Sequence, residues 1–308
     1  MVRKILVGIL ALVLVGGGIF AVIKLGGAQN GTKVVTSGFV EYDFARAVLG
    51  SGVEVTMLMK PGSDMHNFEP TPSDVLALAQ ADLFIYNGGE SEEWVEKMIG
   101  GSEIPRARVL RLMDTVELKE EGEALDGEPH GSVEYDEHIW TSLANAMKMI
   151  QAVRDKLIEV YPERRAELDR NTEAYLERVV GLDAEVRRVI AGSARRELIF
   201  VDRFPFKYFV DEYGLSYTAA FPGCSEQTEA SSATVAELIR KVRETEARYV
   251  LKIELTSDAL ARTVAEETGV EVLTLNAVHN VSAEDFRSGK TYADFWEENV
   301  EVLRRVLE

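Results

Sequence analysis

Two lobes of α/β architecture, each a parallel sheet covered by helices, are predicted by two series of short β-rich runs that alternate with helical stretches. A wholly helical segment separates the two series. In the first series the runs 33–37, 53–58, 82–86 and 108–112 are spaced by helical patterns at 42–49, 72–79 and 92–98. In the second, strands at 198–201, 216–219, 248–253 and 271–275 alternate with helices near 205–212, 233–244, 257–268 and 291–306. Alternation of this kind favours parallel pairing, because each strand must cross back over a face of the sheet before the next one can pair.

The helical segment runs from about 141 to 192 and is interrupted at Tyr161-Pro162, where proline can open a helix but not continue one. Its second half places Leu168, Thr172, Tyr175, Val179, Leu182, Val186 and Val189 at alternating spacings of four and three, which makes one continuous apolar seam. Such a helix runs roughly 35–40 Å, enough to bridge two lobes. The expected organisation is residues 1–30 as a leader, 31–163 as the first lobe, 164–193 as the linking helix and 194–308 as the second lobe.

The leader carries Arg3 and Lys4, then an apolar run at 5–23 closed by Lys24, long enough to cross a hydrocarbon core of roughly 30 Å. It reads as an export signal or a membrane anchor, with cleavage near Ala28 or retention both open. The cations near the start orient the remainder outside the cytoplasm. The only cysteine, Cys224, is far from the position where a lipoprotein signal needs one, and one cysteine excludes an intrachain disulfide. Removing the three basic residues of 1–30 takes the net charge from -18 to -21. That charge disfavours nucleic acid and anionic lipid as partners and would concentrate cations near the surface.

Four histidines occur in the chain, and three fall on loops where an α/β sheet gathers ligands, outside the carboxyl ends of its strands. His66 follows the second β-rich run and precedes the stiff segment Pro70-Thr71-Pro72, His138 ends an acidic loop just before Trp140-Thr141-Ser142, and His279 follows the last strand. Imidazole is mostly neutral at pH 7 and is the commonest side-chain ligand for zinc, so a cleft could collect these rings around one divalent ion. Asp202 and Glu254, each at the carboxyl end of a strand of the second lobe, could complete the shell. Asp202 could equally pair with Arg203 or cap the following helix, and Glu254 could cap or bind Arg262. The acidic loop at 117–137 holds nine acids, one lysine and His130 among glycines and a proline, and is expected to be solvated and mobile. A secreted zinc hydrolase would use the same residue types, but no HExxH motif is present.

The stretches GSDMHNFEPTPSDVLALAQADLFIYNGGESEEWVEK, DEHIWTSLANAMKMI, DRFPFKYFVDEYGL, TGVEVLTLNAVHNVS and TYADFWEENVEVL, in this order from about residue 33 to the C-terminus, resemble the zinc and manganese solute-binding proteins of metal ABC transporters, cluster A-I type. The resemblance implies two α/β lobes joined by a single long rigid helix, with a metal cleft between the lobes. By motif match, His66 and His138 become the ligands of the first lobe. The acidic loop falls where zinc-binding members carry an acidic, His-rich one. The second lobe departs from the pattern, since Arg203 stands where members generally have His or Glu, and Asn276 stands where they have an aspartate. His279 is therefore expected as the third ligand, with Asp202 or Glu254 as a fourth. The implied cargo is zinc, with manganese or iron as alternatives, and the implied partner is a membrane permease driven by ATP hydrolysis. No catalysis is implied.

Overall fold

Runs such as Val34-Val35 and Leu83-Phe84-Ile85 are buried on both faces, which is how a strand inside a helix-covered parallel sheet must read. The computed structural model describes residues 33–50, 53–63, 68–101, 108–123, 125, 135–223 and 229–308. The leader, His66, His130 and Cys224 lie outside the described residues. No helix among the described residues is long and apolar enough to cross a membrane.

The first sheet consists of β1 (Lys33–Thr36), β2 (Glu54–Met57), β3 (Leu83–Tyr86) and β4 (Val109–Arg111), all parallel in the order β2-β1-β3-β4. Helices α1 (Phe39–Leu49), α2 (Pro72–Ala79) and α3 (Glu93–Gly101) cross between its strands. At α2 the local chemistry is explicit: the Thr71 hydroxyl accepts from the Asp74 amide, the Asp74 carboxylate accepts from the Thr71 amide, and Pro72 occupies the first turn.

The second sheet repeats this topology with β5 (Glu197–Phe204), β6 (Ser216–Pro222), β7 (Tyr249–Lys252) and β8 (Glu271–Thr274), ordered β6-β5-β7-β8 and again all parallel. After α4 (Leu143–Val160) and α5 (Arg165–Gly192), its helices are α6 (Lys207–Tyr213), α7 (Ser232–Glu244), α8 (Ala259–Thr268), α9 (Ala283–Ser288) and α10 (Tyr292–Leu307). The short helix α9 lies outside every expected element. Strand β5 extends past the expected 198–201 because a register shift between Phe200 and Arg203 lets it resume pairing with β6.

The long helix is present as expected. Ser142 caps α4 by accepting from the Asn145 amide, a tight turn at Pro162–Arg164 follows, and α5 then continues for 28 residues. Its buried residues Leu168, Thr172, Val179, Leu182, Val186 and Val189 are those the spacing placed on one seam. That seam packs on α1 and α4 of the first lobe and on α10 of the second. The largest core cluster accordingly runs without a break from Val34 and Phe44 through Leu168 and Val186 to Phe200 and Trp296. Smaller clusters cover the outer face of each sheet.

Candidate metal centre

Both sheets have a topological switch point, β1/β3 in one and β5/β7 in the other. The two halves touch where the loop after β8 meets the turn after β2 and the segment entering α4. His138 arrives on the segment that enters α4, and His279 on the loop after β8. Their rings lie edge to face with centroids 4.7 Å apart, and Trp140 packs edge-on against both, at 5.5 Å and 5.8 Å. Two imidazoles separated by more than a hundred residues thus converge, as the reading of the loops required.

Each ring is held by a carboxylate in the same manner. One oxygen of Asp136 accepts from the His138 amide at 2.8 Å and lies 2.9 Å from its Nδ1. One oxygen of Glu254 accepts from the His279 amide at 2.9 Å and lies 3.3 Å from its Nδ1, while the other accepts from the Ala277 amide at 2.7 Å. A carboxylate beside Nδ1 favours the neutral tautomer with its lone pair on Nε2, the arrangement that backs metal-ligating histidines.

Electrostatics separate the two rings. Burial pushes His138 down, but the charges of Asp136, Glu137 and Glu121 outweigh it and hold the ring above the ordinary imidazole range. Burial also pushes His279 down, and there the neighbouring His138 and Arg203 add to the effect against Glu254, so the ring stays below that range. Glu254 is buried, which raises it, yet the His279 ring and the Ala277 amide keep it below the usual carboxylate range.

The remaining expected residues fall as follows. Asp202 is engaged within its own lobe: one oxygen accepts from the Arg203 amide at 2.8 Å, and the other from the Ile253 amide at 3.1 Å and the Thr256 hydroxyl. Pairing with Arg203 is therefore through backbone, and the brace to the β7 end was not anticipated. His66 lies outside the described residues, and among the described residues no group of three or more His, Cys, Asp or Glu converges as a metal shell. Asp136 was missed as a positioning group, although its place two residues before His138 is the signal that marks it.

The expectation of a solvated acidic loop needs correction at the loop's ends. Asp136 and Glu137 are fully buried, the Asp136 amide donates to the Lys119 carbonyl at 2.9 Å, and Glu120 bridges to Tyr135. The Tyr208 hydroxyl of the second lobe receives the Lys119 amide and donates to the Asp136 carbonyl. Next to them, Gly223 closes β6 so near His138 that a Cβ would stand 3.0 Å from its Cε1 and 2.9 Å from the Phe204 carbonyl. Only a residue without a side chain fits there.

Fold and site together define a two-lobed α/β protein with two parallel sheets, a long helix packed on both, and a pair of carboxylate-backed imidazoles. The chain belongs to the ZnuA family, zinc-uptake complex component A, periplasmic, whose family model matches residues 34–306. It is 28% identical over 286 residues to the zinc-binding lipoprotein AdcA of Streptococcus pneumoniae, covering 91% of this chain and 57% of that protein. It is also 28% identical over 279 residues to the high-affinity zinc uptake system protein ZnuA of Bacillus subtilis, covering 89% and 87% respectively. The chain therefore spans only a little over half of AdcA, 57%. Among solved structures, the Zn(II)-bound ZnuA-like domain of Streptococcus pneumoniae AdcA superposes with a TM-score of 0.76 at 27% identity, covering 90% of this chain and 99% of that domain.

Proposed function

We propose that this chain captures a divalent transition metal outside the cytoplasm, zinc rather than manganese or iron, and delivers it to an ABC permease without chemical turnover. The observation that carries this reading is the meeting of His138 and His279 from opposite lobes, ring centroids 4.7 Å apart, each with a carboxylate behind its Nδ1. His66, on the loop that follows β2, supplies the third imidazole. Three nitrogen donors suit zinc better than manganese, which favours oxygen. Asp136 and Glu254 are the acids beside the rings, Glu254 is the fourth donor in this scheme, and Asp202 braces the strand ends instead of ligating. The relatives named for zinc binding and zinc uptake support the same cargo. The apolar run of the leader acts as an anchor that keeps the lobes at the outer face of the membrane, or as a signal whose cleavage releases them there.

Calorimetry on metal-free protein tests the assignment. A His66→Ala, His138→Ala double variant is expected to lose zinc affinity by more than the roughly 10–100-fold that changes behind a ligand produce. Undiminished affinity, or tighter binding of manganese than zinc by the parent, would defeat it.

A further inference from the structure

The loop at 276–281 does more than present His279. The Asn299 side chain of α10 accepts from the Asn276 amide and donates to its carbonyl, both at 2.8 Å, and Glu254 gathers the amides of Ala277 and His279. Between these anchors Val278 adopts φ 61 while buried in the core, a backbone conformation costly for a β-branched residue. The other side of the loop faces the first lobe. The Trp140 Nε1 donates to the Ala277 carbonyl at 2.7 Å, and the Gly62 amide donates to the Val281 carbonyl at 2.8 Å.

Asn280 makes a double tie across the lobes. It is 1% exposed, and its Nδ2 donates both to the Lys60 carbonyl at 2.8 Å and to the Ser63 carbonyl at 2.7 Å, while its Oδ1 accepts from the Val281 amide. Lys60 and Ser63 are the ends of a tight turn closed by the Ser63 amide on the Lys60 carbonyl, with Pro61 first and Gly62 at φ 85 second. Proline then glycine at those two positions makes a stiff type II turn. The turn stands three residues before His66 in the sequence and Asn280 one residue after His279.

We propose that Asn280 is the positioning residue that couples the loop carrying His279 to the turn at Lys60–Ser63 of the other lobe, so that this loop and this turn are held or let go together. It is not itself a ligand. This rests on the zinc-capture reading for its consequence, but the link itself is independent of metal. Removing this buried amide takes its donor from the Ser63 carbonyl and leaves the Lys60 carbonyl only the Ser63 amide, so the turn and the loop should part.

The test uses the full chain with Asn280→Ala and the isosteric Asn280→Asp, which keeps shape but withdraws both donors, and Leu238→Ala as a control. Leu238 is buried in the outer cluster of the second lobe, so its truncation lowers stability far from the turn. Zinc release into excess chelator is expected to quicken roughly 10-fold in both Asn280 variants and to stay at the parent rate in Leu238→Ala. In metal-free protein, hydrogen exchange at the Gly62 amide should accelerate in the Asn280 variants alone. Parent-like release and parent-like Gly62 exchange in the Asn280 variants would overturn the proposal, as would equal acceleration in the control. Rapid Gly62 exchange in the parent would overturn it without any variant. A parent that binds no zinc would refute the cargo reading, while the Gly62 comparison would still decide the coupling.

Discussion

Glu254 presents one oxygen to the amide and Nδ1 of His279 and the other to the Ala277 amide, so all of its acceptor positions toward this loop are in use. Glu254→Gln would turn an NH2 group against one of these backbone donors and remove the charge that orients the ring. Zinc affinity is expected to fall roughly 10–100-fold with little change in melting temperature, measured by competition with a chelating dye. At this scale the sequence was a partial guide. That His138 and His279 lie on loops was legible from their places before a helix and after a strand, and their meeting is a tertiary contact. Asp202 and Glu254 could be placed at strand ends, yet which of them faces a ring depends on how neighbouring loops approach, and Asp202 is claimed by Arg203, Ile253 and Thr256. The roles of Asp136 and Asn280 arise from contacts that no local pattern encodes, since Asn280 meets residues more than two hundred positions earlier.

Helix α5 was the most readable element, because a seam repeated over 28 residues leaves one face for burial. Tyr175 of that seam is only half-buried, and its hydroxyl finds Asp43, which also accepts from the Tyr292 amide at 3.0 Å. A single helix turn of the linker thereby touches α1 and the start of α10 together. Leu168, fully buried on the same seam, gives the measure of that shared packing. Leu168→Ala is expected to destabilise metal-free protein by about 2–5 kcal/mol, and urea unfolding should remain one transition for both lobes because the core cluster is continuous. Two separated transitions would show that the lobes fold apart. Element boundaries were less legible: β5 runs longer than expected through its register shift, and the acidic loop is pinned at its base by Tyr208 from a helix far along the chain.

The molecule as a whole keeps buried acids in its first lobe. Burial raises Glu41 to about 7 and, with the added repulsion of Glu41 and Glu137, raises Glu92 to about 8, while burial raises Asp43 to about 6. Carboxyls that hold their protons more tightly when folded stabilise the fold below their unfolded values, and that contribution fades as pH climbs through the folded ones. The melting temperature of metal-free protein is therefore expected to fall by several degrees between pH 5.5 and pH 9, and Glu92→Gln should flatten the profile. An unchanged profile in that variant would place the titrating groups elsewhere. On the scale of the entire body, the parallel strands also impose a direction. Gly88, Gly223, Glu254 and His279 all follow the carboxyl ends of strands, and His138, on the segment entering α4, meets His279 at that rim. Under the zinc-capture proposal cargo would enter and leave on that rim, and a tether or label fixed behind it would travel with the protein like a handle on the back of a cup.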